Sequence, residues 1–254
     1  MRLALKMVMG LVLLSGTGGM GWWIWQADQD YAFSVILGGK KPPKPDKERY
    51  EVLVAETQRW RNNLGKSYKK ARNAEERAAV ENDARAILEL MIPEMLRCWL
   101  GTPWDFNGIA EKPGEGKVAC GYFVSTVIRD AGFKVNRYEL AKQPSENIMR
   151  TFLSGESCLL EVGRNYEEYA DWVEGMSQGV YLIGLDTHVG FIVNQKDGMH
   201  FIHSSGSKPW CVVEEGREMS AVLKKSNWRM IGALTGNGKV IGTWLRGDKV
   251  RVRN

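Results

Sequence analysis

The chain has 254 residues, of which 44% are hydrophobic and 26% are charged, and its formal net charge at pH 7 is +5. This composition is ordinary for a folded protein and excludes a largely disordered chain. The small positive excess is spread along the sequence. It is compatible with an anionic polymer as a partner, and we expect no nucleic-acid partner.

The first 27 residues have the composition of an export segment. Arg2 and Lys6 precede an uncharged run over residues 7–27, which is long enough to cross a bilayer, since about 20 residues suffice. The positive flank predicts that the N-terminus stays in the cytoplasm and that the rest lies outside. The small residues 15–19 suit a signal peptidase, whereas three tryptophans between positions 22 and 25 are typical of a retained anchor. We expect a signal peptide or a membrane anchor, and a periplasmic or extracellular location.

Residues 28–49 are rich in glycine, proline and lysine, which predicts a linker before a domain covering residues 50–254. Helical periodicity follows, up to about residue 100. Asn73 is expected to cap a helix, with Glu76 three residues later in the sequence. Pro93 should kink or restart that helix. We expect these helices to pack on the core of the domain, and a separate partner-binding helical module is the alternative.

A helix with a cysteine at its beginning comes next, in the run VACGYFVSTVIRDAG. Apolar residues recur there at the spacing of one buried helix face. These residues are Phe123, Val124, Val127, Ile128 and Ala131. Gly132 is expected to end the helix. Cys120 therefore lies in the first turn, where the positive end of the helix dipole favours a thiolate.

The second half of the chain predicts mostly strands. Short helices are expected over residues 146–153 and 165–173, followed by strands in GVYLIGLD, HVGFIVN, MHFIHSS, PWCVVEE and NWRMIGAL. Strands that follow helices predict an α+β domain with an antiparallel sheet, on which the cysteine helix packs its apolar face. His188 opens the second strand, and the alternation there predicts that it points away from Val189, Phe191 and Val193.

Cys120 and His188 are the candidate catalytic pair. A thiol becomes a nucleophile near neutral pH when a helix dipole and an imidazole base assist it. Both kinds of assistance are predicted here. The alternative is that the two are unrelated core residues.

Four segments in order, LGTPWDFNG, ACGYFV, HVGF and FIHSS, resemble the NlpC-like cell-wall cysteine peptidases. The pattern of that family runs G-x-P-Y…G, D-C-S-G-F-V, H-V-G-I and F-I-H-A, and the resemblance covers residues 99–205. It departs from the pattern at three positions: the Asp and Ser beside the cysteine are Ala119 and Gly121 here, and the Tyr is Trp104. In the family these positions help recognise a free amine of the stem peptide or complete the site, so the resemblance implies the chemistry more than the substrate.

The resemblance implies a papain-like fold with the nucleophile at a helix N-terminus. Cys120 would be the nucleophile, His188 the general base and His203 the third residue, which orients the base. The expected activity is hydrolysis of amide bonds in peptidoglycan stem peptides, with the Cys120 N–H and the Trp104 indole N–H as oxyanion donors. No cofactor and no metal are expected. The alternatives are a non-catalytic envelope binding protein on a papain-like shell and a Cys-His acyltransferase or transamidase.

Strand geometry restricts the choice of the third residue. His200 and His203 are three apart in the sequence, so they point to opposite faces and only one can share a face with His188. A two-residue turn at 197–198 would leave His203 too far along the strand. We therefore expect a wider loop near residues 195–196, or a bulge, that brings His203 opposite His188, and we expect His200 to face solvent.

Besides Cys120, the chain contains Cys98, Cys158 and Cys211. In an exported protein four cysteines can form two disulfides, and a single bridge from Cys158 to Cys211 is a further alternative. The apolar neighbours of these three are typical of buried free thiols. A zinc site formed by Cys120, His188 and a second histidine is another alternative, although the sequence lacks the close ligand pairs typical of zinc sites.

Overall fold

The computed structural model describes residues 43–254, so the predicted export segment and most of the predicted linker lie outside the described residues. The helices are α1 (Lys47–Lys70), α2 (Ala74–Cys98), α3 (Cys120–Asp130), α4 (Arg137–Ala141), α5 (Ser145–Phe152), α6 (Tyr166–Glu174), α7 (Ala221–Lys225) and α8 (Gly238–Arg246). The strands are β1 (Lys134–Val135), β2 (Leu159–Val162), β3 (Gly179–Leu185), β4 (Val189–Gln195), β5 (Gly198–Ser204), β6 (Val212–Gly216), β7 (Trp228–Ala233) and β8 (Lys249–Val250). Within residues 43–254, none of the helices combines the length and the apolar character needed to span a membrane.

Two capped helices begin the described domain. The Asp46 side chain accepts a hydrogen bond from the Arg49 backbone N–H at 2.9 Å, so α1 begins at Lys47. Helix α1 therefore begins within the last three residues of the predicted linker. Asn73 accepts from the Glu76 N–H at 2.8 Å and caps α2, as predicted.

Helix α2 continues through Pro93, so the predicted restart is wrong. A proline inside a helix removes one backbone hydrogen bond and crowds the preceding turn. Here Leu88, Ile92 and Leu96 are all buried beside it. Their burial holds the helix together across the proline, since each such side chain contributes about 1.5–3 kcal/mol.

The centre of the domain is a six-stranded antiparallel sheet in the order β2-β7-β3-β4-β5-β6. With the helices around it, this confirms the α+β class. Helices cover both faces. Phe123 of α3 packs with Phe191 of β4 on one face, and Tyr169 of α6 joins Phe201 of β5 in the core on the other. The cysteine helix therefore packs on the sheet, as expected.

The β4–β5 hairpin sets the positions of the two histidines. Gln195 pairs with Gly198, so only two residues form the turn and the expected wider loop is wrong. Gly198 has a φ of 115°, a conformation that glycine adopts most readily. Continuing this register places His203 opposite Gly190, with His188 two residues before Gly190. His188 and His203 are thus diagonal neighbours on one face, which is close enough for contact without direct pairing.

Helix α8 has no counterpart among the predicted elements. Asn237 caps it by accepting from the Val240 N–H at 3.2 Å. Trp244, which is buried, donates its indole N–H to the Ala131 carbonyl at 2.7 Å, at the C-terminal end of α3. The cap and the apolar spacing of this segment were visible in the sequence, but its glycines obscured them. The helix fixes the far end of the helix that carries Cys120.

Candidate active site

Cys120 is the first residue of α3, and Ala119 before it offers no side-chain cap. The backbone N–H groups of Val189, Gly121 and Cys120 itself lie around the sulfur. Burial raises the pKa of the Cys120 thiol, and these N–H groups only partly offset it. The resting group is therefore a neutral thiol, which needs a base in order to react.

His188 lies directly before β4 and makes one ring hydrogen bond, from Nε2 to Nδ1 of His203, at 2.7 Å. Its ring also meets Phe201 edge-on, with centroids 6.2 Å apart. Burial, followed by the neighbouring His203, holds the pKa of His188 well below its ordinary value. His188 is therefore a neutral imidazole, the protonation state that a general base requires.

His203 continues the contact chain into the protein. It is completely buried, it stacks on Phe201 with centroids 4.1 Å apart, and its Nε2 lies 3.2 Å from Oε2 of Glu215. Burial lowers the pKa of His203 to about 3 and raises the pKa of Glu215 to about 7. The prediction that His203 rather than His200 shares a face with His188 agrees with this geometry.

Glu215 belongs to this cluster but to none of the motifs in the sequence. Two glutamates are adjacent in β6, so one of them had to face the interior. Glu214 faces the other side, where it contacts Arg97 at 2.9 Å and His200 at 3.2 Å. His200 is thus half-buried in an ionic cluster. The expectation that it faces solvent is met only in part.

A cavity of about 560 Å³ opens at the N-terminal end of β4, and both members of the candidate pair line it. It is lined by Trp104, Phe106, Ala119, Cys120, Gly121, Tyr122, Ala141, Lys142, Thr187, His188, Gly206, Ser207 and Val222. Within residues 43–254, the ring of His188 hydrogen-bonds through Nε2, and its Nδ1 has no hydrogen-bond partner. The nitrogen available to the thiol is therefore Nδ1.

Trp104 forms one wall of this cavity. Its backbone N–H donates to the Trp210 carbonyl at 2.7 Å, and the two indole rings lie 5.3 Å apart. A Cβ at Gly206 would approach the Trp104 ring to 3.0 Å, so glycine allows this close packing. The structure thus brings Trp104 to the same cavity as Cys120.

All four cysteines are free thiols. The disulfide alternatives, including a bridge from Cys158 to Cys211, are therefore not realised. Cys98 and Cys211 are buried among apolar neighbours, and Cys158 contacts the Leu153 carbonyl at 3.4 Å. The zinc alternative also lacks support, because no group of three or more His, Cys, Asp or Glu side chains in the described part of the chain could hold a metal ion.

Comparison of the chain with known protein families, with curated proteins and with solved structures finds no match. The NlpC-like resemblance therefore stays a prediction.

Proposed function

We propose that the protein is a thiol hydrolase that cleaves amide bonds in peptidoglycan stem peptides, with a papain-like arrangement of its site. The observation that carries this proposal is the shared cavity. A thiol at a helix N-terminus and an imidazole with one hydrogen-bonded nitrogen, His188, open on the same space. A nucleophile, a base and a residue that orients the base are the three roles of a catalytic triad.

In the proposed reaction, Nδ1 of His188 takes the thiol proton while the Cys120 sulfur attacks the amide carbonyl carbon. His188 then gives that proton to the nitrogen as the carbon–nitrogen bond breaks, and the amine leaves. Water next attacks the thioester, with His188 again taking a proton. The carbon–sulfur bond breaks, the acid is released and the thiol is restored.

The tetrahedral oxyanion needs hydrogen-bond donors within the cavity. The backbone N–H of Cys120 points out of the first turn of α3, where the N–H groups have no partner within the helix. The Trp104 indole N–H, on the wall of the cavity, is the second proposed donor. Losing one such donor typically lowers kcat by about 10²- to 10³-fold.

The charges of the cavity support a substrate that carries a carboxylate. Lys142 is exposed at the edge of the cavity, and no carboxylate is among the lining residues of the described chain. Ala119 stands where the NlpC-like pattern has an aspartate. We infer that the substrate presents a carboxylate to Lys142 and not a free amine to the position of Ala119. Stem peptides carry free carboxylates at their ends.

The location proposed for this reaction is outside the cytoplasmic membrane, on the basis of residues 1–27 in the sequence. A fusion of residues 1–50 to a reporter enzyme tests it. Reporter activity in the periplasm or outside the cell supports the proposal. Reporter activity in the cytoplasm contradicts it and also removes the argument for a cell-wall substrate.

The direct test of the activity uses the full-length protein with purified peptidoglycan, and mass spectrometry of the released fragments. We expect new fragments that have gained one water at a peptide bond. Cys120→Ala should abolish their release. Cys158→Ala is the matched control, because Cys158 is also half-buried but lies outside the cavity.

A thiol-reactive probe separates an enzyme from a non-catalytic binding protein. Selective labelling of Cys120 near neutral pH supports the enzyme, because His188 assists the thiol. Slow and equal labelling of Cys120 and Cys158, together with no release of fragments, would show that the protein is a non-catalytic binding protein.

A further inference from the structure

A chain of three buried or half-buried groups extends from the cavity to β6. His188 bonds to His203 at 2.7 Å, and His203 bonds to Glu215 at 3.2 Å. Glu215 is buried and is not among the residues that line the cavity. Its hydrogen-bonded connection to the cavity runs through the two imidazoles.

The hydrogen-bonding capacity of each group fixes the positions of the protons. An ionised carboxylate only accepts hydrogen bonds, so His203 must donate its Nε2–H to Glu215. A neutral His203 then has a bare Nδ1, which accepts the Nε2–H of His188. The remaining nitrogen of His188, Nδ1, carries its lone pair and is the one available to the thiol.

We propose that Glu215 is a positioning residue whose ionised carboxylate sets the tautomers of both histidines, so that His188 can act as the base for Cys120. This inference rests on the proposed function and deepens it. It adds a residue to the thiol, base and orienting histidine that the sequence suggested.

Protonation of Glu215 reverses the arrangement. A protonated carboxyl donates to Nε2 of His203, which then carries its proton on Nδ1 and donates it to Nε2 of His188. His188 now holds its own proton on Nδ1, facing the thiol, and cannot accept another while neutral. One proton added at Glu215 therefore blocks the base, although neither histidine becomes charged. The site is active above the pKa of Glu215, which burial raises to about 7, and inactive below it.

The groups around Glu215 are few. His203 faces it from β5, with His188 behind it, and the Ser220 hydroxyl before α7 hydrogen-bonds it. Burial raises the pKa of the Cys211 thiol, and the nearby Glu215 raises it further. The Cys211 thiol is therefore neutral. No lysine or arginine in the described chain contributes to the pKa of Glu215. The carboxyl therefore titrates against neutral neighbours.

The test records the tautomers of the histidines by nitrogen-15 NMR in the full-length protein, at a pH well above 7 and at one well below. The chain has only three histidines, so the signals can be assigned by single substitutions. We expect His188 and His203 to be Nε2–H tautomers at high pH and Nδ1–H tautomers at low pH. In Glu215→Gln the neutral amide does not titrate, so the change with pH should disappear.

Glu214→Gln is the matched control. It makes the same substitution on the neighbouring residue of β6, whose side chain contacts Arg97 and His200 on the opposite face. It should leave the tautomers of His188 and His203 and their change with pH as in the wild type. In activity assays, Glu215→Gln should lower kcat at least about tenfold with little change in KM, and should remove the loss of activity near neutral pH.

The proposal is overturned if His188 and His203 keep one tautomer at both pH values in the wild-type protein, or if Glu215→Gln retains the change. The wild-type measurement decides this even if the variant does not fold. The readout is independent of turnover. A tautomer change without any cleavage of peptidoglycan would support the role of Glu215 and contradict the proposed substrate. Cleavage of peptidoglycan without a tautomer change would support the proposed substrate and contradict the role of Glu215.

Discussion

Replacing Gly121 by alanine tests how the structure positions the thiol. Gly121 is the second residue of α3, directly after Cys120, and an ideal Cβ there would lie 2.3 Å from the backbone oxygen of Ala141. Real Cβ atoms do not approach a backbone oxygen so closely. Either α3 or α4 must therefore move, because the obstacle is main chain and not a flexible side chain. The NlpC-like pattern has a serine at this position, for which the approach of α4 leaves no space here.

Two effects of the substitution oppose each other. Overpacking of this kind costs about 1–3 kcal/mol, whereas glycine to alanine in a helix gains at most about 1 kcal/mol. The clash outweighs the gain, and we expect Gly121→Ala to be destabilised by about 1–2 kcal/mol. For a domain of this size, about 2–4 °C is lost per kcal/mol, so Tm should fall by about 2–8 °C.

Thermal denaturation followed by circular dichroism measures this change. Gly238→Ala is the matched control, because Gly238 begins α8 and a Cβ there meets nothing within 4 Å. That variant should be as stable as the wild type or slightly more stable. If Gly121→Ala has a Tm equal to or above that of Gly238→Ala, the argument that α4 restricts the start of the cysteine helix is refuted.

Three further predictions concern the site and the ionic cluster on the opposite face of the sheet. His203→Ala should lower turnover of peptidoglycan, though less than Cys120→Ala does, whereas His200→Ala should keep near-normal turnover. Circular dichroism checks that both histidine variants fold. Lower turnover in His200→Ala than in His203→Ala would contradict the positioning role of His203. Lys142→Gln should raise KM for stem peptides with a free carboxylate, but not for their amidated forms, and an equal effect on both substrates would remove the carboxylate contact. Burial raises the pKa of Glu214, but hydrogen bonds from His200 and then from Arg97 outweigh burial and lower this pKa to about 2. The contribution of Glu214 to the free energy of unfolding is therefore present above its ordinary pKa of 4.5 and lost as the pH falls towards about 2. In denaturant titrations, Glu214→Gln should make the free energy of unfolding depend less on pH across that range. An unchanged dependence on pH would show that these contacts contribute nothing.

The amino-acid sequence by itself determined the local elements of the site. The start of the cysteine helix follows from apolar spacing within about a dozen residues. The Asn73 cap follows from Asn73 and from Glu76, three residues later in the sequence. The strands and their antiparallel arrangement follow from alternation and short connections. The two-residue period of a strand shows that only one of His200 and His203 can share a face with His188, and the choice of His203 also used the expected loop and the resemblance of FIHSS to the NlpC-like pattern. Each of these depends on interactions between neighbours in the chain.

The tertiary structure decided the features that depend on contacts between distant segments. Either Glu214 or Glu215 could have faced His203, and the register of β6 against β5 selected Glu215. The hairpin turn has two residues, and the register that it sets brings His188 and His203 together as diagonal neighbours. The expectation of a wider loop considered only direct pairing of the two histidines. Helix α2 continues through Pro93 because the buried side chains around it outweigh the local preference of proline. Local preferences are worth about 1–3 kcal/mol each, whereas packing sums many contacts, so packing decides wherever the two disagree.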